Sequence, residues 1–367
     1  MKLVPFVAGA AGLALIAALI AHVGLGAVAS SLFAVGWLGF ISICLIHLAL
    51  IAVMGIAWWA LLPQESPWAL VWGRLVRDSG AEVLPFSQVG GFVLGARAAM
   101  LAGVSGTAAT ASTIVDVTLE LFAQLAYTAI ALLWLIHLRP ETSVAVPVAA
   151  GLGLAAALTA GFVIAQRRGF DLVGRLAQAT GRGWVDRTAS GAAALHAAIG
   201  AIYHGRVGLW ASFALHLGCW LASTVEIWLA LRFAAAPLDF GTVLVIESLL
   251  YAARSAAFAM PNSLGVQEAA YILLGAGFGI TPQMALALSL LKRARDLAIG
   301  LPALGAWQLC ETGRLWRRTA VPEGCGPEAK MKPRSEETGA STMLATREPA
   351  AVCIVSGYYR GHDDAQP

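Results

Sequence analysis

The chain has 367 residues, of which 59% are hydrophobic and only 12% charged, and its net charge is +3. A soluble domain carries roughly 25% charged residues, so the composition excludes an ordinary water-soluble fold and describes an all-α polytopic integral membrane protein. The weak positive charge calls for no nucleic-acid partner.

In chain order, residues 3–64 contain no Lys, Arg, Asp or Glu. A span needs about 20 apolar residues, so this stretch crosses a bilayer twice, at 4–25 and 36–62. Met1-Lys2 before the run and Ala27-Val28-Ala29 behind it imitate a signal peptide. The run is longer than a typical signal-peptide core, and it reads as an uncleaved first span. Four more spans follow at 108–137, 142–165, 207–235 and 284–310, for about six in all. Two further regions, 82–105 and 240–280, are apolar but broken by Gly, Pro and charge.

Arginine placement orients these elements. The 63–80 loop holds Arg74 and Arg77, and the 166–206 loop holds Arg167, Arg168, Arg175, Arg182, Arg187 and Arg206. Arg314, Arg317 and Arg318 follow the last span. The positive-inside rule puts all three groups, and both termini, in the cytoplasm. The count closes only if 82–105 and 240–280 enter and leave on the same side, as re-entrant helical hairpins from opposite faces. That arrangement is what an inverted repeat produces. An internal echo, Ala96-Arg97 to Ala102 against Ala253-Arg254 to Ala259, points the same way. Residues 1–318 thus form the transmembrane domain, and the Pro-, Gly- and Glu-rich 319–367 reads as a disordered cytoplasmic tail. Its His362-Asp363-Asp364 reads as a solvated end rather than a metal site. Cys44, Cys219, Cys310, Cys325 and Cys353 lack metal-ligand spacing, so neither a disulfide nor a bound metal is expected.

Charges inside apolar segments face a cavity or a partner. Asp116, Glu120 and Gln124 recur every fourth residue and so share a helix face; Arg97 is their candidate partner. Lys292, Arg293, Arg295 and Asp296 interrupt the last span near its middle and are expected to face a polar interior. Glu226 is grouped with His216 and Ser223, and Glu247 shares a face with Arg254. His22, His47 and His216 receive no role. In the second broken region, Pro261 lacks a backbone donor and Gly265 permits a tight turn. A helix restarting after Gly265 presents its positive end to Glu268, and Arg254 is the expected partner of Glu268 across the hairpin.

The run Pro261-Asn-Ser-Leu-Gly265-Val-Gln-Glu268, followed by a long helix with Arg293 or Arg295 at its centre, resembles the flippase-like transmembrane domain of lysylphosphatidylglycerol synthases. Ser-Leu stands here where that family often has a glycine pair. Leu84-Pro85 with Gly90-Gly91, and the Asp116 helix, are similar to the family's first repeat. The overall pattern looks most like the hopanoid-biosynthesis-associated HpnL type. The resemblance implies a bacterial inner-membrane protein that moves or presents a lipid, a hopanoid or a phospholipid, beside other hopanoid-biosynthesis proteins. On this reading Arg97, Asp116, Glu120, Arg254, Pro261, Gly265, Glu268, Arg293, Arg295 and Asp296 line a headgroup or proton path. No phosphate-binding loop motif occurs, nor an Asp-Asp-x-x-Asp or His-rich set in the membrane region. No catalytic residue or cofactor is therefore expected. A membrane enzyme acting on a lipid and a non-catalytic scaffold are the rival readings.

Overall fold

The computed structural model describes residues 24–84, 87–140, 145–180, 185–257 and 261–319. Most of the expected first span, Pro85, the tail beyond Thr319 and the Arg167–Arg187 side chains lie outside the described residues. Among the described residues there are ten α-helices and no strand. They are α1 (Leu25–Trp59), α2 (Pro67–Val83), α3 (Ser87–Leu101), α4 (Gly106–Leu138) and α5 (Ala145–Thr180). Then come α6 (Val185–His204), α7 (Arg206–Phe233), α8 (Phe240–Ala256), α9 (Val266–Ala276) and α10 (Pro282–Thr319).

Local sequence sets several of these boundaries. Pro67 opens α2, where its missing donor goes unmissed. Ser105 caps α4 by accepting from the Ala108 amide, and Asp239 caps α8 by accepting from the Thr242 amide at 3.0 Å. The Thr242 hydroxyl also donates to Asp239 and, as the main cause, holds its carboxyl below the ordinary aspartate range. Gly36, at φ +67°, bends α1 through a conformation that other residues resist.

Among the described residues four helical segments are long and apolar enough to cross a membrane: Val28–Trp59, Gly106–Leu138, Val146–Gln166 and Arg206–Phe233. They match four of the expected spans. The expected span at 284–310 lies within α10, which is long enough but carries Lys292, Arg293, Arg295 and Asp296 along its buried side. Phe33, Trp37, Leu154, Leu158 and Trp210 stand exposed on the outer helices, as apolar side chains do where lipid is the solvent.

Two helical hairpins form the centre. In the first, α2 and α3 run antiparallel, Gly80 meeting Gly91 and Leu94 while Gly73 meets Gly95. In the second, α8 packs on α9 across a 3₁₀ turn at Pro261–Ser263. The hairpins stand tip to tip, and α4 and α10 run past both in opposite directions. Along α4, Asp116 and Glu120 meet α2, Gln124 reaches Ser255 at the second tip, and Trp134 packs on Gly241. Along α10, Lys292 and Arg293 meet the second hairpin, Gly300 packs on Val83, and Glu311 meets Arg97 of the first. The first arms α2 and α8 are each about 25 Å long, and α4 is about 50 Å long. Two arms end to end therefore match one long helix.

Three expectations require correction. The 63–80 segment is not a loop but α2, the first arm of the first hairpin, so 82–105 supplies mainly the second arm. Arg74 and Arg77 are buried in it because carboxylates of α4 receive them, and they cannot serve as cytoplasmic flanking charges. The described residues of the 166–206 segment are mostly helical as well, since α5 continues to Thr180 and α6 runs over Val185–His204. The seven-residue echo joins unlike positions: Ala96–Ala102 closes a second arm, whereas Ala253 lies near the end of a first arm. Alanine-rich helices resemble one another through composition alone.

Candidate functional site

Buried charge collects along the two hairpins. In the first, Arg74 and Arg77 lie one turn apart on α2, facing Asp116 and Glu120, one turn apart on α4. Arg74 Nη2 donates to Glu120 Oε1 at 2.7 Å and Arg77 Nη1 to Asp116 Oδ2 at 2.6 Å. Arg77 also pairs with Glu120, and Arg74 Nε donates to Asp78 at 2.8 Å. His216 on α7 bonds Asp116 Oδ1 through Nε2 at 2.9 Å. Charged groups are tolerated away from water only when each finds a partner, and here every guanidinium meets at least two carboxylates.

The second hairpin repeats the pattern with the signs exchanged. Arg74 is the eighth residue of α2 and Glu247 the eighth of α8. Asp116 is the eleventh residue of α4 and Lys292 the eleventh of α10. Arg74 Nη1 stands 3.6 Å from Asp116, and Lys292 Nζ stands 2.6 Å from Glu247. Hairpin cations thus face anions of the long helix in one half, and hairpin anions face cations of the long helix in the other. Tyr271 donates to Glu247, and Tyr251 puts its ring 4.6 Å from Lys292 Nζ. Beside them Glu268, fully buried, accepts from Arg293 Nε at 2.6 Å, from Ser289 Oγ at 2.9 Å and from the Gly265 amide at 2.9 Å. Arg295 pairs with Asp296 at 2.7 Å and with Glu226, which His47 also bonds at 2.9 Å.

The tips themselves are polar. Arg254, near the end of α8, donates to both carboxylate oxygens of Glu82, near the end of α2, at 2.8 Å. Asn262 donates to the Glu82 carbonyl and lies 3.4 Å from Arg254 Nη2. Asn262 and Ser263 hold φ of +46° and Gly265 +80°, so three left-handed residues turn the chain there. Arg254 is 10% and Glu82 25% exposed at the side chain, so this junction between the hairpins is partly exposed.

Most of the expected site residues lie in these separate clusters, but the partners differ from those expected. Asp116, Glu120, Arg254, Gly265, Glu268, Arg293, Arg295 and Asp296 line the hairpins and α10, and Pro261 begins the tip turn. Arg97 does not meet Asp116; it lies 38% exposed against Glu311 at 2.6 Å. Arg254 pairs with Glu82 rather than Glu268 or Glu247. Glu226 pairs with Arg295 and His47, while His216 serves Asp116 and Ser223 bonds the Trp220 carbonyl. Sequence reasoning missed Arg74, Arg77, Glu82, His47 and His216. Arg74, Arg77, Asp78 and Glu82 follow a helical spacing that could have marked α2 as a buried polar arm. Among the described residues no group of His, Cys, Asp and Glu could hold a metal ion.

A family model described as the lysylphosphatidylglycerol synthase TM region matches residues 6–303. No curated protein and no solved structure gives a match. The matched residues span both hairpins and the charged part of α10.

Proposed function

The chain belongs to the family of the lysylphosphatidylglycerol synthase TM region, and from that membrane-lipid-related premise we propose that it moves a lipid between the two leaflets of a membrane. The observation that carries this reading is the tip-to-tip meeting of two hairpins at a partly exposed Arg254–Glu82 pair. A first arm of about 25 Å is shorter than the roughly 30 Å hydrocarbon core. Two such hairpins, entering from opposite faces as re-entrant elements of an inverted repeat, meet near the middle of the bilayer. Irregular backbone at that depth is tolerated where it is buried in protein or lines a watery path. An anionic headgroup offers Arg254 the same bidentate oxygens as Glu82 does, so a lipid phosphate can exchange with Glu82 there.

The lipid is a hopanoid or a phospholipid, the setting a bacterial inner membrane with both termini cytoplasmic, and other hopanoid-biosynthesis proteins are its neighbours. The protein acts without cofactor or catalysis. The test is lipid analysis of a deletion strain, with inner and outer membranes separated. Transport predicts hopanoid made in normal amount but present in the wrong membrane, restored by the wild-type chain and not by an Arg254→Ala chain that accumulates equally. Disappearance of a hopanoid species would instead mark an enzyme. Unchanged distribution with altered partner assembly would mark a scaffold.

A further inference from the structure

Among the described residues, the ion pairs of the second hairpin and of the tips close one cation on one carboxylate: Lys292 on Glu247, Arg293 on Glu268, Arg254 on Glu82. Two clusters do not. Around Arg74 and Arg77 stand three carboxylates, Asp78, Asp116 and Glu120. Around Arg295 stand two, Glu226 and Asp296. Each cluster holds one carboxylate in excess, and in each a histidine is bonded to a carboxylate: His216 to Asp116 and His47 to Glu226. The histidines cross over between the halves. His47, on the helix before the first hairpin, serves the cluster beside the second, and His216, on the helix before the second, serves the first.

An unbalanced charge away from water is strongly disfavoured, and a proton is the ligand that removes this imbalance. We propose that His216–Asp116 and His47–Glu226 are two proton-binding sites, one in each half of the molecule. The open nitrogen of His216 points to the same ligand. His216 is fully buried, its Nε2 faces Asp116, and its Nδ1 has no partner. With Nε2–H donated to Asp116, Nδ1 is a bare acceptor, the atom on which a proton arrives. Ser212 Oγ, one turn earlier on the same face of α7, is also buried without a partner. The reaction is the formation of one N–H bond per site, with the proton taken from and returned to water.

The charged surroundings favour a single exchangeable proton at each site. His216 is faced by Asp116 and Glu120 from α4 and by Arg74 and Arg77 from α2. On α8 Glu247 is paired with Lys292 and Arg254 with Glu82, and α6 carries His196, Tyr203, which donates to Gln166, and His204, which bonds the Gly200 carbonyl. His47 is faced by Glu226 from α7 and by Asp296 from α10, and around these two carboxylates stand Arg295 and Lys292 of α10 and Cys44 of α1. Toward α2, Arg74 and Asp78 are bonded to each other; toward α4, Asp116 and Glu120 belong to the other cluster. Its side chain is 23% exposed, so this site opens outward where His216 does not.

The charge count supplies the test. Asp116→Asn leaves two cations against two carboxylates, and Glu226→Gln leaves one against one, so neither altered cluster needs a proton. Proton uptake by the purified full chain in detergent, on a jump from about pH 8 to about pH 5, is read with an indicator dye. His216→Gln and Asp116→Asn should each take up about one proton fewer than wild type, and the paired change no fewer than either alone. His47→Gln and Glu226→Gln should do the same at the second site. A histidine titrating on its own would keep its proton in Asp116→Asn, so wild-type uptake by that variant overturns the proposal. Should Asp116→Asn fail to accumulate, wild-type uptake by His216→Gln overturns it equally. No lipid gradient enters this measurement, so it stands whether or not the lipid-moving reading does. The proton's use as the coupling ion does rest on that reading, and is tested separately by whether an imposed pH gradient changes lipid movement in liposomes.

Discussion

Glu268 shows how one residue can be legible in the sequence while its partner is not. Its place three residues after Gly265 marks it as a helix-start carboxylate, and the Gly265 amide does bond it. The stronger tie is to Arg293 at 2.6 Å, on a helix distant in sequence. Removing one member of a buried pair leaves the other uncompensated, at a cost of about 3–5 kcal/mol. A capping contact alone contributes about 1 kcal/mol. Glu268→Gln should therefore lower the thermal stability of the purified chain far more than a cap would. Glu268→Gln with Arg293→Gln should lose less than Glu268→Gln alone, since no charge is then stranded. Equal unfolding temperatures for wild type and the Glu268→Gln chain would reduce this residue to a cap.

At the level of elements, the first hairpin depends on glycines that let its arms approach closely. A Cβ on Gly95 would stand 2.5 Å from the Arg77 Cβ and 2.9 Å from the Gly73 carbonyl oxygen. Backbone and Cβ atoms cannot give way there as a flexible side-chain end could. Gly95→Ala should destabilise by about 1–3 kcal/mol, the usual penalty of overpacking, and should move Arg77 off Asp116. Gly151, on α5, has nothing within 4 Å of its added Cβ. Gly151→Ala should be neutral or stabilising by up to about 1 kcal/mol, since alanine is the better helix former. Thermal unfolding of the two single variants side by side separates close packing from propensity; a Gly95→Ala chain as stable as Gly151→Ala would refute the tight-arm account.

For the whole molecule, topology follows from the hairpins returning on their own side. The chain enters α2 and leaves α3 at the same end, so α4 and α5 form an out-and-back pair. Read across a membrane, that pair brings the chain back to the face from which α2 entered, and Gly205, exposed between α6 and α7, lies at that end beside Ala60 and Gln64. On the cytoplasmic-termini reading, a single cysteine at Gly205 in a cysteine-free chain should resist an impermeant thiol reagent in intact spheroplasts. One at Pro237, exposed between α7 and α8, should react. Labelling at Gly205 from outside would contradict two hairpins of opposite entry.

The sequence alone determined the solvent, the helical class and most long elements, because these depend on local composition. A charge-free run of 62 residues at 3–64 has no stable state in water, and periodic apolar segments of span length have few alternatives to a helix. The second hairpin was legible at 240–280 because Pro261 and Gly265 break the backbone chemically. The first was not, since α2 carries Arg74, Arg77, Asp78 and Glu82 and so looks like a solvated loop. Only the tertiary structure decided that Arg74 and Arg77 are buried and Asp78 and Glu82 half-buried, by setting α4 and α8 against them. Pairing in a membrane interior is a global balance: each charge takes the partner that three-dimensional packing brings within reach, not its neighbour along the helix. That is why the charged positions were visible one by one, while the exchange of sign between the two halves appeared only once both hairpins stood tip to tip.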